Sequence, residues 1–393
     1  MRLAIVVQRY GVEVNGGAEL EARQYAEHLT PFVQVEVLTT CAQDYMTWAN
    51  VYPPGEQTVN GVRVRRFPVR QPRDVARFNA LSERLMAGPH AHLEEEQWMA
   101  LQGPDAPALF DYLRANESQY DLFVFFTYLY ASTYVGLSLV AHKSLLWPTA
   151  HDEPWIYLDL FRGLFNLPRG LLFNSNEEAQ FVRKKFQNQH VAGRVIGVGV
   201  DVPDRPRRSM LADPYMLYLG RIDDSKGCGE LFHNFLRYKA VTRDSLKLVL
   251  VGQPVMPVPR HPDILAPGYI AGDERFDWVQ GAELLVLPSR YESLSLVTLE
   301  AMGLGVPVLV SAHSPVLRGH CLKSQAGLYY ANEAEFLAAV RLLRGQPALR
   351  NLLGQRGKLY VQRNYAWPII VERHLDFLRT VYASVHSTVA APS

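Results

Sequence analysis

The stretch ELLVLPSRYESLSLVTLEAMGLGVPVLVS, residues 283–311, reads as strand, loop, helix and second strand in immediate succession. LLVL and VPVLV are near-continuous apolar runs, the pattern of strands buried on both faces of a parallel sheet rather than of half-exposed antiparallel strands. Glu292 and Glu300 flank the loop-to-helix junction. Read as helix throughout, the eight steps between them span about 12 Å at 1.5 Å per residue, which suits a diphosphate between two carboxylates. On that geometry Glu292 lies near a sugar, Glu300 accepts hydrogen bonds from ribose hydroxyls, and the N–H groups of Ser293, Leu294 and Ser295 face an anion. An acidic first turn and one solvated glutamate is the plainer alternative.

The same alternation runs outward in both directions. Short β-rich runs at residues 3–7, 33–38, 122–126, 171–173, 216–219, 246–251, 283–287 and 306–310 are separated by longer helical stretches, which predicts an α/β chain with helices on both faces of parallel sheets. At 393 residues the chain suits two domains. Segment 201–214, DVPDRPRRSMLADP, is rich in proline and charge between two apolar strands and marks the boundary. Residues 1–204 and 205–367 are the expected domains, each a doubly wound Rossmann-like unit, with a helix over about 368–385 expected to pack back on the first. Two such units facing across a cleft is the architecture implied.

Upstream, YLGRIDDSKG (218–227) ends a strand and places Arg221 and Lys226 in the next loop. Two cations at the carboxyl end of a first parallel strand can clamp a diphosphate; two solvated charges flanking a turn is the alternative. Near the start, Asn15, Gly16 and Gly17 follow the first strand and open a helix, letting a backbone approach a ligand or simply shaping a tight turn. The full GxGxxG spacing is absent, which argues against an NAD-dependent dehydrogenase.

Other classes recede on composition. The net charge is +1, from 40 Lys and Arg against 39 Asp and Glu, so no global field attracts nucleic acid. Cys41, Cys228 and Cys321 are far apart, which excludes a thiolate zinc cluster and argues against a disulfide framework. HAHLEEEQ (90–97) lacks the further ligands a metal needs. No stretch reaches 18 apolar residues, so any membrane contact is peripheral, and a cytoplasmic setting is expected. Arg63, Arg65, Arg66, Arg70, Arg73 and Arg77 form either a solvated basic face or a patch for an anionic membrane surface or phosphorylated acceptor. The aromatic run FFTYLYASTY (125–134) fits core packing and stacking on acceptor sugars equally well.

Taken together, NGGAE (15–19), VIGVGVD (195–201), GRIDDSKG (220–227), LVLVGQ (248–253) and PSRYESLSLVTLEAMGLGVPVL (288–309) resemble the retaining glycosyltransferases of family 4, which have the GT-B fold. The resemblance covers nearly the whole chain. It implies transfer from a nucleotide-diphosphate-sugar donor to a saccharide or lipid-linked saccharide acceptor, as in polysaccharide or glycoconjugate biosynthesis. It implies that Arg221 and Lys226 bind the donor phosphates, Glu300 the ribose, and Glu292 with Ser293, Leu294 and Ser295 the transferred sugar; 269–272, with Tyr269 and Ile270, looks like the base-binding loop. His151, in PTAHDEPW (148–155), looks like the histidine that such enzymes present to the donor sugar. Two cations in place of a divalent ion imply activity without metal. The chain departs from the family at Leu294 and Ser295, where Phe and then Gly or Cys are common, which bears on sugar identity. A GT-B epimerase or hydrolase of nucleotide sugars and a non-catalytic nucleotide-sugar binder are the competing readings.

Overall fold

A computed structural model describes residues 1–14, 16–203, 210–270 and 272–387; the expected boundary at 204/205, Asn15 and Ala271 lie outside these. Contacts divide the chain into two units, one of Met1–Val198 together with the chain from Ile370 onward, the other of Gly199–Ile369.

In the first unit the elements are β1 (Arg2–Val6), α1 (Gly17–Leu29), β2 (Gln34–Thr40), β3 (Gly55–Val59), β4 (Val62–Phe67), α2 (Val75–Met86), α3 (His92–Gln102), α4 (Pro107–Asn116), β5 (Leu122–Phe126), α5 (Ala131–Leu139), β6 (Ser144–Trp147), α6 (Leu160–Leu164), β7 (Gly170–Phe173), α7 (Asn176–Phe186) and β8 (Ala192–Val195). They build an eight-stranded sheet of order β3-β4-β2-β1-β5-β6-β7-β8. All its pairings are parallel except the β3–β4 hairpin. The second unit runs β9 (Tyr215–Leu219), α8 (Cys228–Val241), β10 (Lys247–Val251), β11 (Ile264–Gly268), α9 (Glu274–Gly281), β12 (Leu284–Leu287), α10 (Leu296–Gly303), β13 (Val308–Ser311), α11 (Pro315–Ser324), β14 (Gly327–Tyr330), α12 (Glu333–Gly345) and α13 (Pro347–Asn364); α14 (Trp367–Ser387) follows. Its sheet order, β11-β10-β9-β12-β13-β14, is the 3-2-1-4-5-6 winding of a Rossmann unit. The α/β expectation of two doubly wound, Rossmann-like units is what the chain forms.

This winding reverses direction at one place in each sheet, between β9 and β12 and between β1 and β5, and ligands of open α/β sheets bind at the carboxyl ends of strands beside such a reversal. Close packing at the β9 reversal requires glycine. Gly227 has φ +79, and a Cβ there would sit 2.6 Å from the carbonyl oxygen of Pro288, just past β12. Any side chain would push the two loops apart.

Strands unmarked in the sequence are short or lie towards the edges. β4 carries Arg63 and Arg65 outward and buries Val62, Val64 and Phe67, an alternation that the arginines mask. In β11, Pro267 occupies an edge strand, where no ladder partner is lost. The basic stretch does not form one open cationic face. Arg63 and Arg65 pair with Glu36 and Glu56, and Arg70 meets Asp105 at 2.8 Å. Arg66 is 2% exposed beneath the Tyr52 ring, Arg73 lies against Trp48 and Phe78, and only Arg77 is left exposed without such a role. Phe125, Phe126 and Tyr128 of the aromatic run are core residues. In HAHLEEEQ, buried Glu95 accepts from His90 and from the Leu160 N–H, both at 2.8 Å. Among the described residues no cluster of His, Cys, Asp and Glu could hold a metal, and no helix is long and apolar enough to cross a membrane. The three cysteines are buried and unpaired with one another.

From Ile370 on, α14 is counted with the first unit. Ile370, Val371, Phe377, Leu378 and Val381 are buried, and Phe377 and Val381 pack over Gly170 of β7. His374 is wholly buried between Tyr25, 4.4 Å centroid to centroid, and Trp147, 4.8 Å. Burial pushes its imidazole down to about 3, against a weaker opposing contact with the Gly197 backbone. The folded state therefore holds the neutral ring while the unfolded chain titrates near 6.5. Below that value the unfolded chain binds the extra proton, so this residue's contribution is intact above pH 6.5 and falls as pH drops towards 3, by at most about 1.4 kcal/mol per pH unit. His374→Phe should flatten the loss of urea resistance between pH 6.5 and 5; identical pH dependence in the two proteins would show that His374 is not held neutral.

Candidate functional site

In the second unit the chain leaves β9 through Gly220 and Arg221, turns through a short 3₁₀ segment at Asp224–Lys226, and enters α8. Asp223 caps that turn by accepting the Ser225 N–H at 2.9 Å and holds Arg221 Nε at 2.8 Å. Lys226 points across to the exit of β12, where its Nζ meets Glu292 Oε1 at 3.0 Å. The predicted phosphate cation and the predicted sugar carboxylate thus form one ion pair, with the lysine 37% and the glutamate 17% exposed. Two long side chains held at this exposure are worth only about 0–1 kcal/mol, so an arriving anion can take the lysine at little cost.

Past Glu292 the loop is not helical. α10 begins at Leu296, so the 12 Å helical rise expected between Glu292 and Glu300 does not apply to its first four residues. The interruption is Ser295, at φ +67 and ψ +76, with its hydroxyl 2.9 Å from that of Thr298. A non-glycine residue is uncommon there, which explains why glycine is common at this place in the family the sequence resembles. Leu294 does not offer its side chain to a donor. It is 0% exposed, and its carbonyl accepts from His320 Nε2 at 2.8 Å. Its contribution to an anion site is confined to the backbone.

Glu300 sits in the second turn of α10, 5% exposed, with Arg275 Nη2 of α9 at 2.7 Å. Burial raises its carboxyl above the ordinary range and the Arg275 cation opposes the shift. Tyr269, 55% exposed, and half-buried Ile270 follow β11. All these groups therefore follow the carboxyl ends of β9, β11 and β12, on one edge of one sheet. Arg275 and His320 carried no signal in the sequence: each is one of several polar residues in its helix, and only the fold brings it to its partner.

His151, Gly16 and Gly17 belong to the first unit, likewise past strand ends. Gly16 opens α1, and a Cβ there would lie 2.1 Å from Glu19 Oε2. The glycine admits a buried ion pair, Arg9 with Glu19 at 5% and 6% exposure, which Gln8 joins at 2.8 Å. Gly17 has open space around it. The glutamate of NGGAE is thus engaged by the β1 exit, a role its spacing did not reveal. His151, 27% exposed, has Nε2 3.4 Å from Glu153 Oε2, and the other oxygen of Glu153 accepts from Tyr128 at 2.6 Å. Asp152 instead takes the Tyr157 hydroxyl at 2.7 Å.

Comparison with known proteins bears on this edge. Residues 213–345 match the family described as glycosyl transferases group 1. The matched segment contains every second-unit group named in this subsection. The chain is 29% identical over 203 residues to the D-inositol 3-phosphate glycosyltransferase of Kineococcus radiotolerans, covering 44% of this chain and 46% of that one. It thus spans about half the length of the curated relatives that it matches first. In fold it is similar to sucrose-phosphate synthase from Thermosynechococcus elongatus, at TM-score 0.72 and 19% identity over 98% of this chain and 99% of that one. It is also similar to Anabaena HepE in complex with UDP and glucose, at TM-score 0.70 and 14% identity over 97% of this chain and 100% of the other. These likenesses extend over both units and identify the GT-B architecture.

Removing the cation from a buried pair strands its partner. Arg275→Gln should lower stability by roughly 2–3 kcal/mol near pH 8. Glu300 would then be raised further, so the deficit should shrink at pH 5, where the carboxyl can take a proton on folding. Urea unfolding at the two pH values checks this; an equal deficit at both would mean that Glu300 does not depend on Arg275 for its charge.

Proposed function

We propose that this protein is a retaining glycosyltransferase of family 4 type, acting in the cytoplasm, that moves a sugar from a nucleoside-diphosphate sugar to a saccharide or lipid-linked saccharide. The observation that carries the proposal is the set of groups past β9 and β12: two cations, Arg221 and Lys226, a buried carboxylate, Glu300, and between them a loop whose backbone is turned by Ser295. A sugar diphosphate has the matching parts. Its diphosphate takes the cations, its ribose diol gives two hydrogen bonds to Glu300, and its hexose hydroxyls reach Glu292 once Lys226 has turned to phosphate. Tyr269 and Ile270 flank the base. In this reading Gly16 and Gly17, at the start of α1, also take part in donor binding, and Gly17 has open space around it.

In the reaction the bond between the anomeric carbon and the diphosphate oxygen breaks, and the acceptor hydroxyl bonds to the same face of that carbon. The hydroxyl proton passes to the departing phosphate oxygen, and the products are the glycoside and a nucleoside diphosphate. The work asked of the protein is to fix the reactants and stabilise charge on the leaving group. Arg221 and Lys226 supply that charge, and activity without added metal follows. His151 acts at the sugar, with its Nε2 3.4 Å from Glu153 Oε2.

The decisive experiment combines binding and turnover. UDP, GDP, ADP, CMP and NAD are compared for thermal stabilisation of the wild type and Glu300→Ala, and nucleoside diphosphate release from UDP-, GDP- and ADP-sugars is measured with and without chelator. One nucleoside diphosphate should stabilise the wild type, and Glu300→Ala should weaken its binding about 10- to 100-fold, the worth of hydrogen bonds to a charged group. Stabilisation by NAD alone would sink the proposal. Epimer or free sugar as the sole product would point to an epimerase or hydrolase, binding without turnover would point to a sensor, and activity restored only by magnesium or manganese would remove the metal-free step. His151→Ala should cut turnover while nucleotide binding stays within about twofold.

A further inference from the structure

We propose that Glu178 is a positioning residue for His151, clipping the loop that carries the histidine to the exit of the neighbouring strand; this rests on the role given to His151 above. Glu178 lies in the first turn of α7 and is 1% exposed. One of its carboxyl oxygens accepts the Ala150 N–H at 2.5 Å and the other the Asn174 N–H at 2.6 Å. Ala150 immediately precedes His151 past β6, and Asn174 follows β7. A single buried side chain thus joins two strand exits.

A local explanation accounts for only part of this. Ser175 and Glu178 have the spacing of a capping box, and Ser175 Oγ accepts the Glu178 N–H at 3.1 Å, so a glutamate here would be expected to reach back to its own N-cap. A capping box involves no residue 28 positions away, as Ala150 is. An ordinary box glutamate also lies at the surface, whereas burial pushes this carboxyl up to about 8, with the nearby Glu21 adding to the shift and the Asn174 and Ala150 N–H groups opposing it. Retaining a carboxyl at that site argues for a task that an apolar residue cannot perform.

The loop needs such a clip. Thr149 has φ +51, a left-handed conformation that β-branched residues avoid and that persists only where the surroundings impose it. On the upstream side Pro148 accepts the Tyr128 N–H at 3.3 Å, and downstream Glu153 takes the Tyr128 hydroxyl. Between these anchors Glu178 is the group that holds the peptide leading into His151. Its own surroundings are fixed as well. The Asn174 side chain accepts from Trp147 Nε1 at 2.8 Å and donates to Glu21 Oε2 at 3.0 Å, and Trp147 is backed by His374.

Glu178→Gln keeps the size of the side chain but turns an N–H donor towards one of the two backbone donors, and Glu178→Met offers no acceptor at all. Wild type, both variants, His151→Ala and the double variant H151A/E178Q are compared for nucleoside diphosphate release from UDP-, GDP- and ADP-sugars, for nucleoside diphosphate binding, and for hydrogen exchange of the Ala150 amide. Variants that melt cooperatively are expected to lose turnover about 10- to 100-fold, the effect of misplacing a reacting group by about an ångström. Nucleotide binding should stay within about twofold, and E178Q should cause no further loss once His151 is gone. Ala150 exchange should be at least about tenfold faster in both variants. Unchanged turnover, or an equal fold-loss with and without His151, would overturn the proposal. If the wild type turns over no nucleotide sugar, the transferase reading fails by itself. The exchange rate then decides the clip: equal rates in wild type and variants would refute it.

Discussion

Lys226 and Glu292 are 66 positions apart, and they meet because β9 and β12 are neighbours at the one place where the winding of the second sheet reverses. At that place successive helices leave on opposite faces of the sheet, so the loops after the two strands diverge and leave room between them. The proposed grouping of Arg221, Lys226 and Glu292 follows from this constraint. The turn at Gly227 can lie against the Pro288 carbonyl only without a side chain, and that approach brings Lys226 to the loop that carries Glu292. A sheet with the same strands in another order would separate the two charges by the width of a strand or more.

The ion pair has a second consequence. With a net charge of +1, the chain lacks a large overall field to draw in the doubly charged donor proposed for it, so on that proposal recognition would depend on local exchange. Lys226 has a carboxylate partner and Arg221 has Asp223 at 2.8 Å, and both pairs are partly open to water. Such pairs contribute little to stability, yet they hold the cations close to where a diphosphate would need them. The weakness of each pair permits the exchange. Glu300 is different: it is buried, and its partner Arg275 is 2.7 Å away.

How much of this was legible in the sequence depended on whether a residue's role is set by its neighbours in the chain. LLVL and LVLV declared central parallel strands because both faces of those strands are covered, and the winding of the second unit followed from their alternation with helices. Arg221 and Lys226 follow the run that ends at Leu219, and Glu292 the run that ends at Leu287, so their places past strand ends could be read at once. β4 escaped because Arg63 and Arg65 interrupt its apolar residues, and their partner Glu36 lies on another strand. Leu294 could be placed in the loop, but not the direction of its side chain, which turns inward, nor the His320 contact to its carbonyl, which comes from α11. Ser295 was legible as a departure from a pattern, but its physical meaning, a left-handed backbone, required the dihedral angle.

The same distinction separates the two histidines of the first unit that bear on the proposed chemistry. His151 could be singled out because PTAHDEPW follows an apolar strand and places it among acids. Nothing in the local sequence of α14 distinguishes His374, which lies on the helix's buried stripe with Val371, Phe377 and Leu378. Yet His374 supports Trp147, Trp147 donates to Asn174, and the Asn174 N–H shares Glu178 with the peptide before His151. Neutrality suits this place in the chain of contacts. A charged imidazole against two aromatic rings would disturb the packing on which the Trp147 hydrogen bond depends. The one histidine is kept neutral by burial, while the other lies partly exposed, 3.4 Å from Glu153.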